Sequence, residues 1–142
     1  MKPNQQFLSA LLKTAQLGQV QIRSILDTAL GSGLRTTLEN QLREYHSIES
    51  EAYTLALQRG WELPELDHGR KFLEDRFTRM KLSRGNTDSR IADILIQGNT
   101  KGMIQGLKRL HQSDNLDHQI RILSQKLLDC ENAHIRQMQR FL

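Results

Sequence analysis

Apolar and small side chains return every three or four residues along most of this chain, a period that commits it to helices packed lengthwise. The first seam runs Leu8, Leu11, Ala15, Gly18, Ile22, Ile25 and Ala29. Alternating steps of three and four belong to a helix crossing its neighbours at a shallow angle. Gly31-Ser32-Gly33 interrupts the pattern, because glycine readily takes the left-handed conformation that ends helices. A second seam follows at Leu34, Leu38, Gln41, Tyr45, Ile48, Ala52 and Leu55 and closes at Gly60. Two helices joined by so short a turn lie antiparallel.

Trp61-Glu62-Leu63-Pro64 then breaks the chain, and a shorter amphipathic stretch carrying Leu66, Phe72, Leu73, Phe77 and Met80 fades at Ser83-Arg84-Gly85-Asn86. Thr87 or Asp88 can cap a third long helix through Ala92, Ile96, Asn99, Met103, Gly106 and Leu110. After Ser113-Asp114-Asn115 a last seam runs Leu116, Ile120, Leu123, Leu127, Cys130, His134 and Phe141. The expected helices therefore cover about 4–31, 34–59, 65–83, 88–111 and 115–141. The fold class is all-α, a four-helix bundle of two antiparallel hairpins joined by a long, partly helical crossover. A length of 142 residues suits one such domain, 1–142. Two prolines and 5% aromatic residues exclude a sandwich of many short strands.

The lone Cys130 cannot form an internal disulfide, which points to a reducing compartment, the cytoplasm. No run of about 18 apolar residues is present to span a membrane, and no signal-peptide core follows Met1. Twenty cations against sixteen acids leave a net charge of +4, an excess too small to specify nucleic acid as the partner.

Two helices look covered on more than one side. Between Pro3 and Gly33 the charged residues are Lys13, Arg23 and Asp27. The face away from the seam holds Ala10, Thr14, Leu17, Gln21, Ser24 and Thr28. Exposed helix faces are normally charged, so a small neutral one suggests an interface, most simply a homodimer. Gly98, Gly102 and Gly106 fall four residues apart in the third helix. Each costs about 1 kcal/mol against alanine, offset if the stripe lets another helix approach closely. The rival is a turn splitting the segment at Gln97–Gly102; the phase of the seam across the glycines favours a continuous helix.

The chemistry-bearing motifs are sparse. Di-metal bundles take Glu from two helices and Glu-x-x-His from the other two. The last helix offers Glu131-Asn132-Ala133-His134, with His134 on the seam and Glu131 on its flank. At the matching register the second helix has Glu49-Ser50-Glu51-Ala52, with alanine in place of histidine. The first and third offer Gln16, Gln19, Gln97 and Asn99 near their midpoints, and amides are weak ligands for such ions. His134 is better read as a partly buried histidine bonded to a neighbour. Cys130 and His134, one turn apart, could pair a thiol with a base or bind one zinc, against the simpler reading of a small buried hydrophobe beside a histidine. From Arg70 to Arg84 six cations face Glu74 and Asp75. That basic crossover could meet phosphates, though a solvated surface accounts for it as well.

With these residues in place the chain resembles the ferritin-like superfamily, particularly its small bacterial branches, over nearly its whole length. The likeness rests on the hairpins turning at Gly31-Ser32-Gly33 and Ser113-Asp114-Asn115, on Ile94-Leu95-Ile96-Gln97-Gly98-Asn99 and on Glu131-Asn132-Ala133-His134. An association with spore-coat bundle proteins is weaker. Metal-binding members place Glu on helices 1 and 3 and His on helix 2, and this sequence has none there. The resemblance thus implies a fold and no catalytic activity. The expectation is a non-enzymatic structural or protein-interaction bundle with a degenerate metal site, no cofactor and a homodimeric state. The alternative is a divergent di-metal protein holding iron or manganese for storage or oxidase chemistry through Glu49, Glu131 and His134. Helix packing or an interface is assigned to Leu17, Gln21, Ser24, Gly98, Gly102 and Gly106.

Overall fold

A computed structural model describes residues 2–28, 30–64 and 87–142. The helix expected over 65–83 and the cations from Arg70 to Arg84 lie outside the described residues. Among the described residues there are four helices, α1 (Pro3–Leu26), α2 (Ser32–Gln58), α3 (Asp88–His111) and α4 (His118–Gln139). No strand occurs among the described residues, and no helix among them is long and apolar enough to cross a membrane.

The helix ends show where local chemistry overrides seam periodicity. α1 stops at Leu26, short of the expected boundary near residue 31. The Thr28 hydroxyl donates to the Ile25 carbonyl at 2.6 Å, and the Arg35 guanidinium donates to the carbonyls of Leu26 at 3.0 Å and Thr28 at 3.1 Å. These bonds satisfy carbonyls that a longer helix would have engaged. Ser32 and Gly33 accordingly open α2 rather than separate it from α1. α4 likewise starts three residues later than its seam suggests, because Asn115 sits at a φ of 54° and Asp117 is the cap. The Asp117 carboxylate accepts the backbone N–H groups of Gln119 at 3.0 Å and Ile120 at 3.2 Å. α3 is capped by Thr87, which accepts from the Arg90 N–H at 3.1 Å, and continues unbroken through its three glycines.

Contacts along the helices fix their directions. Gln16 of α1 donates to the Tyr53 hydroxyl of α2, and Gln5 to the Glu62 carbonyl just beyond α2, so α1 and α2 are antiparallel. Gly102 and Gly106 of α3 lie against Glu131 and Leu128 of α4, again antiparallel. Arg140 to Thr37, Gln41 to Gln137 and Lys126 to Glu51 bind α4 antiparallel to α2. α2 and α3 therefore run in the same direction, and the end of one lies at the opposite end of the bundle from the start of the other. At one end the Gly31 N–H donates to Asp88 at 3.2 Å; at the other Arg59 grips Asp117 with two bonds of 2.9 and 3.0 Å.

Leu8, Leu12, Ile22, Leu34, Leu38, Ile48, Ile120 and Met138 are fully enclosed between the helices. The inward stripe of α3 is Ile91, Ala92, Leu95 and Asn99, while Ile96, Met103 and Leu110 are only half-buried. The expected seam is met at Ala92 and Asn99, which are buried, and at Gly106, which with Gly102 faces α4. α4 buries a broader stripe than expected, including Ser124, Leu128 and Glu131, since it touches all three other helices.

Candidate metal centre

His134 of α4 packs against Tyr45 and Glu44 of α2 with no exposed surface. Two neighbours set its ring. Tyr45 of α2 meets it edge-on, with ring centres 4.9 Å apart and planes 78° apart. Tyr45 is itself fixed by donating to the Asn99 side-chain oxygen of α3 at 3.1 Å. Gly18 of α1 makes room for the phenol: a Cβ there would fall 2.8 Å from the Tyr45 ring. One residue from each of α1, α2 and α3 thereby holds an imidazole on α4.

The Nε2 edge of that imidazole faces Glu44 of α2. Nε2 lies 2.6 Å from a carboxylate oxygen of Glu44, which is 48% exposed. The Cys130 Sγ lies 3.3 Å from the same oxygen and 3.3 Å from His134 Nε2. Three potential ligand atoms of three chemical types therefore converge, all within 4.8 Å of one another. Burial holds the His134 pKa below its ordinary value despite the opposing pull of Glu44, so the ring is neutral with its proton on Nε2, donated to the carboxylate. Burial, the Glu44 bond and the Glu44 charge drive the Cys130 thiol well up. It stays protonated and donates to the same oxygen, so the pair lacks the thiolate that nucleophilic catalysis needs.

Glu131 occupies a different environment although it is one turn away. Its side chain is 3% exposed and turned toward α3, where a Cβ on Gly102 would lie 3.3 Å from its Oε2. That oxygen has no hydrogen-bond partner. Burial raises the carboxyl pKa from 4.5 to about 7. Glu131 is therefore inside the bundle rather than on the flank of the seam, because the glycine stripe makes space over it.

The structure separates the three residues of the di-metal alternative. Glu49 pairs with His46 at 3.4 Å on the outer side of α2, Glu131 faces Gly102, and His134 faces Glu44. Positions three apart on a helix diverge by about 60°, enough here to aim Glu131 and His134 at different neighbours. The amides near the midpoints of α1 and α3 are engaged elsewhere: Gln16 with Tyr53, Gln19 with Arg23, Gln97 with Asp93 and Asn99 with Tyr45. Leu17, Gln21 and Ser24 are half-buried. The Gln21 amide lies close to Gly98 of α3, so the chain itself covers part of that neutral face.

Glu44 is the residue that sequence reading missed. It lies 86 positions from Cys130 and 90 from His134, on the flank of a seam whose inward residue is Tyr45. Its charge made it look like an ordinary solvated glutamate. Comparison with family models, with curated proteins and with solved structures returns no match for this chain.

Proposed function

We propose that the protein is a non-enzymatic helical bundle of ferritin-like topology, with a structural or protein-interaction role in the bacterial cytoplasm, acting as a homodimer. The topology is supported by the helix directions: two antiparallel pairs whose second and third helices run the same way are joined as in bundles with one long crossover. The observation that carries the reading is the charge of the interior. At the level where a di-metal centre needs several carboxylates, Glu131 is the one buried carboxylate among the described residues. Two divalent ions beside it would leave about three uncompensated positive charges in an apolar core, a desolvation cost no neighbouring group offsets. The carboxylate di-metal centre of the family does not fit these residues.

Metal analysis of the chain purified without chelators is the test. Iron and manganese should stay far below one atom per chain. Two atoms per chain, lost on replacing His134 by alanine, would overturn the reading in favour of storage or oxidase chemistry. A solution mass twice the 16.4 kDa of the chain is expected, and a monomer at all concentrations would remove the dimer.

A further inference from the structure

We propose that Glu44, Cys130 and His134 form a mononuclear zinc site with three protein ligands, open to solvent at its fourth position. This goes beyond the bundle reading and does not depend on it.

The donor set comes first. One thiol, one imidazole and one carboxylate suit a borderline-soft divalent ion that takes sulfur, nitrogen and oxygen together, the preference of zinc. Geometry follows. A tetrahedral zinc at ordinary bond lengths spreads its ligand atoms to about 3.3–3.5 Å from one another. Sγ is already 3.3 Å from both Nε2 and the Glu44 oxygen. The remaining pair, at 2.6 Å, has to open by about 0.7 Å to reach that spread, and the half-exposed Glu44 side chain is free to supply the movement. Cys130 and His134 stand on one helix a turn apart, and Tyr45, Asn99 and Gly18 hold the imidazole before any ion arrives. Such orientation of ligands from outside the coordination sphere is what sets metal affinity.

The proton inventory balances. Without metal, the Nε2 proton and the thiol proton both point at one carboxylate oxygen. On binding, the ion accepts a lone pair from each of the three atoms. The thiol releases its proton to solvent, and the ring proton moves from Nε2 to Nδ1. One proton is released per ion, and the charges of zinc, thiolate and carboxylate cancel. Because one proton leaves per ion, zinc binding strengthens as pH rises.

Of the three ligands, Glu44 also borders a groove of about 580 Å³, together with Asn40, Arg43 and Arg140. Arg43 is engaged with Asn40, and Arg140 with Thr37, and among the described residues no fourth His, Cys, Asp or Glu joins the cluster as a further ligand. Water fills that role, as in zinc sites with three protein ligands.

Cobalt(II) titration of the tag-free full chain, followed by competition with zinc, tests the site. One equivalent of cobalt should bring a sulfur-to-cobalt charge-transfer band in the near ultraviolet and the intense visible bands of a tetrahedral ion, all abolished by one equivalent of zinc. Calorimetry with zinc in two buffers of different ionisation enthalpy should report one proton released. His134→Ala risks the core, so the diagnostic variants are Cys130→Ser and Glu44→Gln. Cys130→Ser should remove the charge-transfer band, and each should weaken binding tenfold or more, since loss of mere outer-sphere partners already costs 10–100-fold. Absence of the band, or unchanged binding in Glu44→Gln, overturns the site. Neither result would touch the bundle reading, which is tested by iron and manganese content and by the solution mass.

Discussion

α4 carries two acidic neighbourhoods on its two sides, and they are opposites. Toward α3, Glu131 is buried, lacks a hydrogen-bond partner on one oxygen and borders a small pocket walled by Gly102, Phe7, Leu11, Leu127 and Leu128, with Thr14, Ser124 and Arg109 around it. Toward α2, Glu44 is half-exposed and accepts two donors, from a fully buried histidine and a half-buried thiol. The carboxylate in the first setting prefers to be neutral, while the one in the second organises two neighbours that donate to it. The lesson is that burial and partners, not the presence of Glu on a helix, decide what a carboxylate can do. The family-like Glu131-x-x-His134 spacing is intact, yet the useful partner of His134 comes from another helix.

The largest effect should come from His134→Ala. The substitution leaves a cavity beside Tyr45 and strips Glu44 and Cys130 of their shared partner. A loss of about 3–4 kcal/mol in urea unfolding is expected; a loss below about 1 kcal/mol would mean the ring is not structurally engaged.

Acid–base behaviour sharpens the contrast next. In the folded chain the Glu131 pKa is raised, so its stabilisation is complete below 4.5 and is lost as pH rises through about 7, by up to about 3 kcal/mol. The groups near it are Tyr45 of α2, Arg109 of α3 and Cys130 on its own helix, while α1 presents Phe7, Leu11 and Thr14. His134 works in the opposite sense: its depressed pKa gives stability above 6.5 that is lost as pH falls. The two slopes oppose each other between pH 5 and 7 in chelated wild type. Glu131→Gln should leave the His134 slope alone, so that stability rises with pH across that range. Urea midpoints at both pH values with EDTA present measure this, and a variant as flat as wild type would show that Glu131 does not titrate there.

Much of this was legible in the residues. The α2 stripe from Leu34 through Tyr45 to Ala52 is buried as its spacing predicts, because a helix between two neighbours has one inward face and a clean period. α3 was harder. Its seam includes the inward Ala92 and Asn99 and the α4-facing Gly106, but Gly102, with no hydrophobic signal of its own, falls outside that seam although it faces Glu131. The candidate site was half-visible: Cys130 and His134 advertise themselves by their four-residue gap, whereas Glu44 depends on the register of α4 against α2. That register is set by pairs such as Gln41 with Gln137, and no local pattern encodes it.

Gly18 tests how the histidine side is held. A methyl group there would meet the Tyr45 ring at 2.8 Å, and the ring is buried and tied to Asn99. Gly18→Ala should therefore cost about 1–3 kcal/mol through overpacking, although alanine favours an isolated helix. Its zinc affinity should fall with it, which separates a positioning role from bulk destabilisation when compared with a core variant of equal cost.

The smallest effect should be Gly102→Ala, on the Glu131 side. The new Cβ would lie 3.3 Å from Oε2 and 3.4 Å from Oε1, tight but opposed only by the end of a flexible side chain. Alanine regains about 1 kcal/mol of helix propensity, while the displaced carboxylate loses a few tenths of an ångström of room. Near-neutral stability below pH 5 is expected, where Glu131 is protonated and can rotate. At pH 8 the ionised carboxylate is pressed further into apolar surroundings, and the variant should fall behind wild type by about 1 kcal/mol. A pH-independent difference would place the Glu131 carboxyl away from Gly102 and dissolve the contrast between the two sides of α4.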